Sequence, residues 1–137
     1  MGDRANVYML EGESRGGSKT GVYLYTHWGG TELPHVVQRA LARRQRWDDS
    51  QYLARIVFCE MVRGYEDEET GFGISAGMGD NEHPILVVDC RTSRVSFCRA
   101  NGFGSTPVEA SAIAAWPFER YVGLDPHELD EKWLGAG

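Results

Sequence analysis

The stretch Ile85-Leu86-Val87-Val88-Asp89-Cys90-Arg91-Thr92-Ser93-Arg94-Val95-Ser96-Phe97-Cys98-Arg99 decides how the rest of the chain is read. It opens on an apolar, β-branched run and closes on alternating apolar and polar residues, with Thr92-Ser93 suited to a turn. Two strands joined by a tight turn are expected, over residues 85–90 and 95–99. The hairpin is expected to set Cys90 opposite Val95 and Cys98 opposite Val87. Side chains alternate faces along a strand, so Leu86, Val88, Cys90, Val95 and Phe97 share the face that packs on helices. Cys98 falls on the other face, and no disulfide joins it to Cys90. With Cys59 the chain holds three cysteines and no CxxC pair. That pattern points to reduced thiols and excludes a zinc ribbon or a thioredoxin-type motif.

Upstream, residues 72–76 complete a three-strand meander with this hairpin. The chain opens with another hairpin, residues 6–11 and 21–27, around a polar loop. Within that loop Gly16-Gly17-Ser18-Lys19-Thr20 fails as a phosphate-binding loop. Ser18 separates the glycine from the lysine, and a strand follows where the motif needs a helix. Two helices separate the hairpins. In the first, Thr31 is the expected cap, and Leu33, Val36, Val37, Ala40 and Leu41 recur at helical spacing. Arg39, Arg43, Arg44 and Arg46 sit together on that helix as a solvated face. The second, residues 51–63, is capped from Asp48, Asp49 or Ser50 and is apolar around most of its circumference, as a helix buried on nearly all sides would be. Gly64 stops it. Near the C-terminus, Thr106-Pro107-Val108-Glu109 reads as a capping box that opens an Ala-rich helix to Trp116. Residues 118–122 continue it beyond Pro117, and residues 125–134 form a terminal helix or tail.

The expected order is ββ-αα-βββ-α. This is an α+β fold, a single domain over residues 1–137, with a mostly antiparallel five-stranded sheet and helices chiefly on one face. The composition agrees: 137 residues, 42% hydrophobic and 25% charged, support one hydrophobic core and exclude a disordered or coiled-coil chain. No apolar run approaches the ~18 residues of a membrane span. The first residues show no charged-then-apolar leader, so a cytoplasmic location is expected. The net charge of −6 disfavours general nucleic-acid binding. The imbalance lies in the second half, where residues 66–137 hold 5 basic against 13 acidic side chains.

Four features offer chemistry. His27-Trp28-Gly29-Gly30 ends a strand and opens a helix, where His27 is placed to act as acid, base or ligand. The simpler reading is a corner anchored by Trp28, turned by the glycines and closed by a local His27 hydrogen bond. Asp80, Glu82 and His83 are three metal-ligand types in one turn, in a spacing that matches neither an EF-hand nor HExxH. Asp80 and Asn81 also suit a plain turn. Glu60 stands on the most apolar helix, where a carboxylate needs a partner; Arg63, three residues on, is the expected one. Glu66, Asp67, Glu68 and Glu69 form a solvated acidic loop able to face a basic partner. Asp89 is expected to be exposed beside Ser96.

The segment Tyr23-Leu24-Tyr25-Thr26-His27-Trp28-Gly29-Gly30, the helix after it, Asp48-Asp49-Ser50-Gln51-Tyr52-Leu53-Ala54-Arg55-Ile56, and Gly79-Asp80-Asn81-Glu82-His83-Pro84 together resemble a group of small bacterial and phage proteins. These open with a hairpin and a Tyr-x-His-Trp-x-Gly corner and carry no established activity. The resemblance spans roughly residues 20–97. It implies a mobile-element context, in which small proteins block host components, including defence systems such as CRISPR.

The function expected from these features is a non-enzymatic protein-binding module, an inhibitor of a host complex of the anti-CRISPR type, acting in the host cytoplasm. Its partner presents a basic surface, and no cofactor is called for. One alternative is a small enzyme or ligand-binding protein using His27 with Glu60 or His83. Another is a self-associating structural protein, a homo-oligomer.

Overall fold

A computed structural model describes residues 2–13, 19–100, 107 and 109–135 of the chain. The chain is α+β, and among these residues six strands form one mixed sheet. Strands β1 (Ala5–Glu13) and β2 (Lys19–Thr26) form the opening hairpin, followed by helices α1 (Leu33–Ala42) and α2 (Ser50–Met61). Strands β3 (Phe72–Ser75), β4 (Ile85–Asp89), β5 (Arg94–Cys98) and β6 (Ala112–Pro117) complete the sheet in the order β3-β2-β1-β4-β5-β6. Helices α3 (Phe118–Tyr121) and α4 (Pro126–Leu134) close the chain. Among the described residues no helix is long and apolar enough to cross a membrane.

The expected meander does not form. β3 pairs with β2 at one edge, while β4 lies beside β1 and runs parallel to it. The physical reason is burial. All five residues of β4 are buried, so this strand needs a neighbour on each side and cover on both faces. β2 occupies one flank of β1, and β4 takes the other. β3 exposes Ser75 and Ile74 and suits an edge.

The β4–β5 hairpin forms in a register two residues from the expected one. Asp89 faces Arg94, Val88 faces Val95, and Ile85 faces Cys98. The turn takes four residues, 90–93, with Ser93 in the left-handed region at φ 55°. A shift of two residues preserves every face, so the side-chain assignment survives. Leu86, Val88, Val95 and Phe97 lie in the helix-side core with Cys90 packed against it, and Cys98 lies on the opposite side. None of the three cysteines is in a disulfide.

The Ala-rich segment is not a helix. Residues 112–117 form β6, antiparallel to β5, with Val95 facing Trp116 and Arg94 facing Pro117. Alanine's helix propensity is a weak preference, and pairing with an open sheet edge overrides it. Trp116 is thereby buried against Phe97, ring centroids 5.0 Å apart. Pro117 needs no partner for an N–H at the sheet edge and caps α3 in extended conformation. Thr106 and Val108 of the proposed capping box lie outside the described residues, as do residues 14–18 of the first loop.

The helix ends differ too. Thr31 does not cap α1; Glu32 occupies the cap position without a side-chain bond, and the Thr31 N–H is taken by Asp3 Oδ2 at 2.7 Å. The four arginines do not share a helix. α1 ends at Ala42 with Arg43 as C-cap, and Arg44 and Arg46 follow in left-handed conformation. Trp47 folds back and donates its indole N–H to the Leu41 carbonyl at 3.0 Å, which satisfies the open helix end. α2 is capped by Asp49, which accepts from the Gln51 and Tyr52 amides. It is amphipathic rather than buried all round, since Tyr52 and Cys59 are exposed.

Each of the four helices contributes buried apolar residues to one core on one face of the sheet. Phe97 sits at its centre, with Trp116 and Trp133 both 5.0 Å away in edge-to-face contact. The other face carries a smaller buried cluster around Tyr8, Tyr23, Ile85, Val87 and Cys98. That second cluster explains Asp89, which is buried rather than exposed. It accepts from the Arg91 amide at 2.9 Å and from the Arg91 guanidinium at 3.2 Å. Burial and the neighbouring carboxylates push the Cys90 thiol up to about 12.

Two outcomes follow from this packing. With a thiol reagent, native protein should modify Cys59 first, while the denatured, unreduced chain should show three reactive groups; fewer would mean a disulfide. Trp133→Phe removes an indole N–H that donates to the Gly30 carbonyl at 2.8 Å inside the core. A buried acceptor left unmatched costs about 1–3 kcal/mol, which denaturant melts should register as a lower midpoint.

Candidate functional site

The corner after β2 is built by side-chain as well as backbone contacts. The Gly29 amide donates to Thr26 Oγ1 at 3.0 Å. The His27 amide donates to the Gly71 carbonyl, and the His27 carbonyl accepts from the Asp3 amide. Gly30 lies against the N-terminal segment; a Cβ there would come within 2.7 Å of both the Asp3 carbonyl oxygen and the His83 ring. Only glycine fits this approach.

His83 and Trp133 close the same junction. The His83 ring stacks on Trp133, centroids 5.5 Å apart and planes 13° apart, and its Nε2 meets Asp3 Oδ1 at 2.5 Å. Burial pushes the Asp3 carboxyl up, but bonds from His83 and Thr31 override it and hold Asp3 below its usual value. His83 therefore ties together the N-terminal segment, the glycine corner and α4.

The three metal-ligand types of the 80–83 turn face different partners. Arg4 bonds Glu82 at 2.7 Å and Asp80 at 3.2 Å, and His83 goes to Asp3. Among the described residues no cluster of three His, Cys, Asp or Glu side chains forms. His27 makes the local bond expected of a corner residue, its Nδ1 2.9 Å from the Tyr25 hydroxyl. Trp28 does not anchor the corner; it is 58% exposed. His27, Glu60 and His83 do not converge, and the cleft that Glu60 lines contains neither histidine.

That cleft is the candidate site. It has a volume of about 480 Å³ and lies between α1, the end of α2, the glycine corner and the 65–72 loop. Its walls are Trp28, Tyr65 and Phe72, and Tyr65 is as exposed as Trp28, at 58%. Tyr65 leans on Phe72 with centroids 6.1 Å apart. Trp28 covers Gly71, where a Cβ would come within 2.6 Å of the indole and where φ is +102°. The tryptophan thus depends on a glycine 43 positions away in the chain, which no local pattern shows.

The floor of the cleft is ionic. Glu60 is buried and accepts from Arg43 and Arg63, with Arg39 Nε 3.7 Å away. The expected pair with Arg63 is present, and two arginines of the α1 end join it. Burial raises the Glu60 carboxyl, but the guanidinium bonds and charges win and hold it below its ordinary value. The mouth is acidic: Glu32 and Glu68 line the cleft, and Glu66, Asp67 and Glu69 are exposed beside it. Glu66 also accepts from the Gly64 amide, which folds the loop back on the end of α2. No activated nucleophile faces the space, and the arrangement suits binding of an apolar or cationic group.

The chain matches no protein-family model, no curated protein and no solved structure.

Asp3, Glu60 and Asp89 all titrate below ordinary carboxylates in the folded chain. Their contribution is fully present above the unfolded carboxylate range and is lost as pH falls through the folded values. Stability should be flat near neutrality and decline below about pH 4. Glu60→Gln keeps the shape but removes the charge, so it should cost about 1–3 kcal/mol at pH 7 and make the acid decline shallower. Denaturant melts across pH check both, and an unchanged acid limb in Glu60→Gln would remove Glu60 from the account.

Proposed function

We propose that this protein is a non-enzymatic binding module that docks a protein partner with a basic surface at the aromatic cleft and its acidic loop. The observation that carries this reading is the pair Trp28 and Tyr65, each more than half exposed on one cleft that Glu32 and Glu68 also line, with Glu66, Asp67 and Glu69 exposed in the same loop as Glu68. Tryptophan and tyrosine in such settings supply most of the energy of protein interfaces. A rim of one charge sign steers the oppositely charged partner and speeds encounter.

The enzyme reading has less support. Its three residues are occupied elsewhere, His27 by Tyr25, Glu60 by arginines and His83 by Asp3. The resemblance to small phage and bacterial proteins favours a host complex as the partner, with this chain as its inhibitor. Self-association keeps one observation in its favour, the edge strand β3 with Ile74 59% exposed.

The test is capture of partners from a bacterial lysate by the immobilised protein, at low and high salt. Wild type is set beside Trp28→Ala, Tyr65→Ala and a loop variant with Glu66→Gln, Asp67→Asn, Glu68→Gln and Glu69→Gln. A hot-spot loss of ~2 kcal/mol, roughly 30-fold in affinity, is expected for each aromatic variant. The loop variant should associate more slowly and depend less on salt. If all variants retain the same partners at both salts, the cleft is not the docking surface. A size-exclusion run that shows a dimer broken by Ile74→Lys would favour self-association instead.

A further inference from the structure

We propose that the cleft is a cage for one organic cation, an ammonium, methylated ammonium or guanidinium group on the basic partner, seated between Trp28 and Tyr65 beneath Glu32 and Glu68. This rests on the docking reading above and names the group that enters. Aromatic faces attract cations through their quadrupole, and the attraction grows when both are withdrawn from water.

Two other rings, the exposed Tyr52 and the half-buried Trp47, show the same chemistry satisfied internally. Arg46 lies over the exposed Tyr52 ring, 4.5 Å from its centroid, and Arg44 lies 5.4 Å from that of Trp47. Trp28 and Tyr65 carry no such cation among the described residues. Trp28 packs on Gly71 and edge-on to His27, Tyr65 packs on Phe72, and both still line the cleft.

Charge selects a cation over an anion. Arg39 and Arg63 also line the cleft, but both are drawn to Glu60, which Arg43 further engages. Glu32 and Glu68 have no ion pair among the described residues, and Glu66, Asp67 and Glu69 add to the field at the mouth. The guanidiniums of Arg39, Arg43 and Arg63 are thus engaged by one buried counter-ion, while Glu32 and Glu68 offer carboxylates to the cleft that no arginine takes up among the described residues. A cleft of about 480 Å³ has room for a long cationic side chain with its aliphatic stem along Leu33, Val36 and Met61.

The experiment titrates the full chain with tetramethylammonium chloride, Nε-trimethyllysine amide and arginine amide, with sodium chloride and sodium acetate as controls. Tryptophan fluorescence and the indole N–H and glycine amide signals in NMR are followed. Saturable shifts centred on the Trp28 indole, Gly29 and Gly71 are expected for the cations only. Trp28→Leu keeps apolar bulk but removes the π face, and should lose about tenfold or more in affinity without a change in melting temperature. Tyr65→Ala and the pair Glu32→Gln with Glu68→Gln should weaken binding as well. Glu66→Gln with Asp67→Asn and Glu69→Gln, which leaves the cleft lining intact, should retain it. No saturable shift with any cation overturns the proposal, as does a saturable shift with acetate centred on the Arg39 and Arg63 side chains. Failure of the cations while Trp28→Ala still abolishes partner capture would leave the docking reading standing and the cage refuted. Cation binding with partner capture indifferent to Trp28→Ala would do the reverse.

Discussion

The Trp133 indole donates to the Gly30 carbonyl at 2.8 Å, with His83 stacked on its ring and bonded to Asp3, and the geometry around the cleft descends from this junction. It joins segments from both ends of the chain to the corner where β2 gives way to α1. The backbone at Gly30 approaches too closely for any side chain, so the corner is held rigidly. The start of α1 is then set by Asp3, a residue far away in sequence, which accepts the Thr31 N–H in place of a local cap. With α1 so placed, its outer face meets the end of α2, and the space between them and the 65–72 loop is the cleft.

Charge is arranged in layers across that cleft. A buried carboxylate surrounded by guanidiniums avoids the cost of an isolated buried charge, and it draws Arg39, Arg43 and Arg63 together around it. Glu32 and Glu68 line the same cleft without forming an ion pair among the described residues. Trp28, Tyr65 and Phe72 line the same cleft as these charged groups. This combination, rather than the acidic run alone, is the ground for proposing the region as a binding surface.

Two neighbouring segments show how far residue pattern reaches. In β4 and β5 the alternation of side chains survived a two-residue change in register, because faces repeat every second residue. The helix-side residues and the separation of Cys90 from Cys98 were therefore legible. In residues 112–117 the composition favours a helix, yet the segment is β6. An open edge of β5 and a pocket for Trp116 among Phe97 and Tyr121 outweigh a few tenths of a kcal/mol per residue of propensity. The site divides in the same way. The Glu60–Arg63 pair is three residues apart and readable, whereas the contact of Trp28 with Gly71 has no local signature.

By itself the sequence determined the α+β class, the seven strands and helices that precede residue 100, the face that β4 and β5 turn to the helices, and the solvated acidic loop. Those properties follow from periodicity, turn chemistry and charge, all of which act over a few residues. The tertiary structure alone decided that β1 and β4 run parallel at the centre of the sheet, that β3 moves to the edge, and that residues 112–117 become a sixth strand. It also decided that Trp28 faces a cleft instead of anchoring a corner. Each of these depends on which surfaces remain unpaired once the first hairpin and helices have packed, a competition between distant segments that no local pattern records.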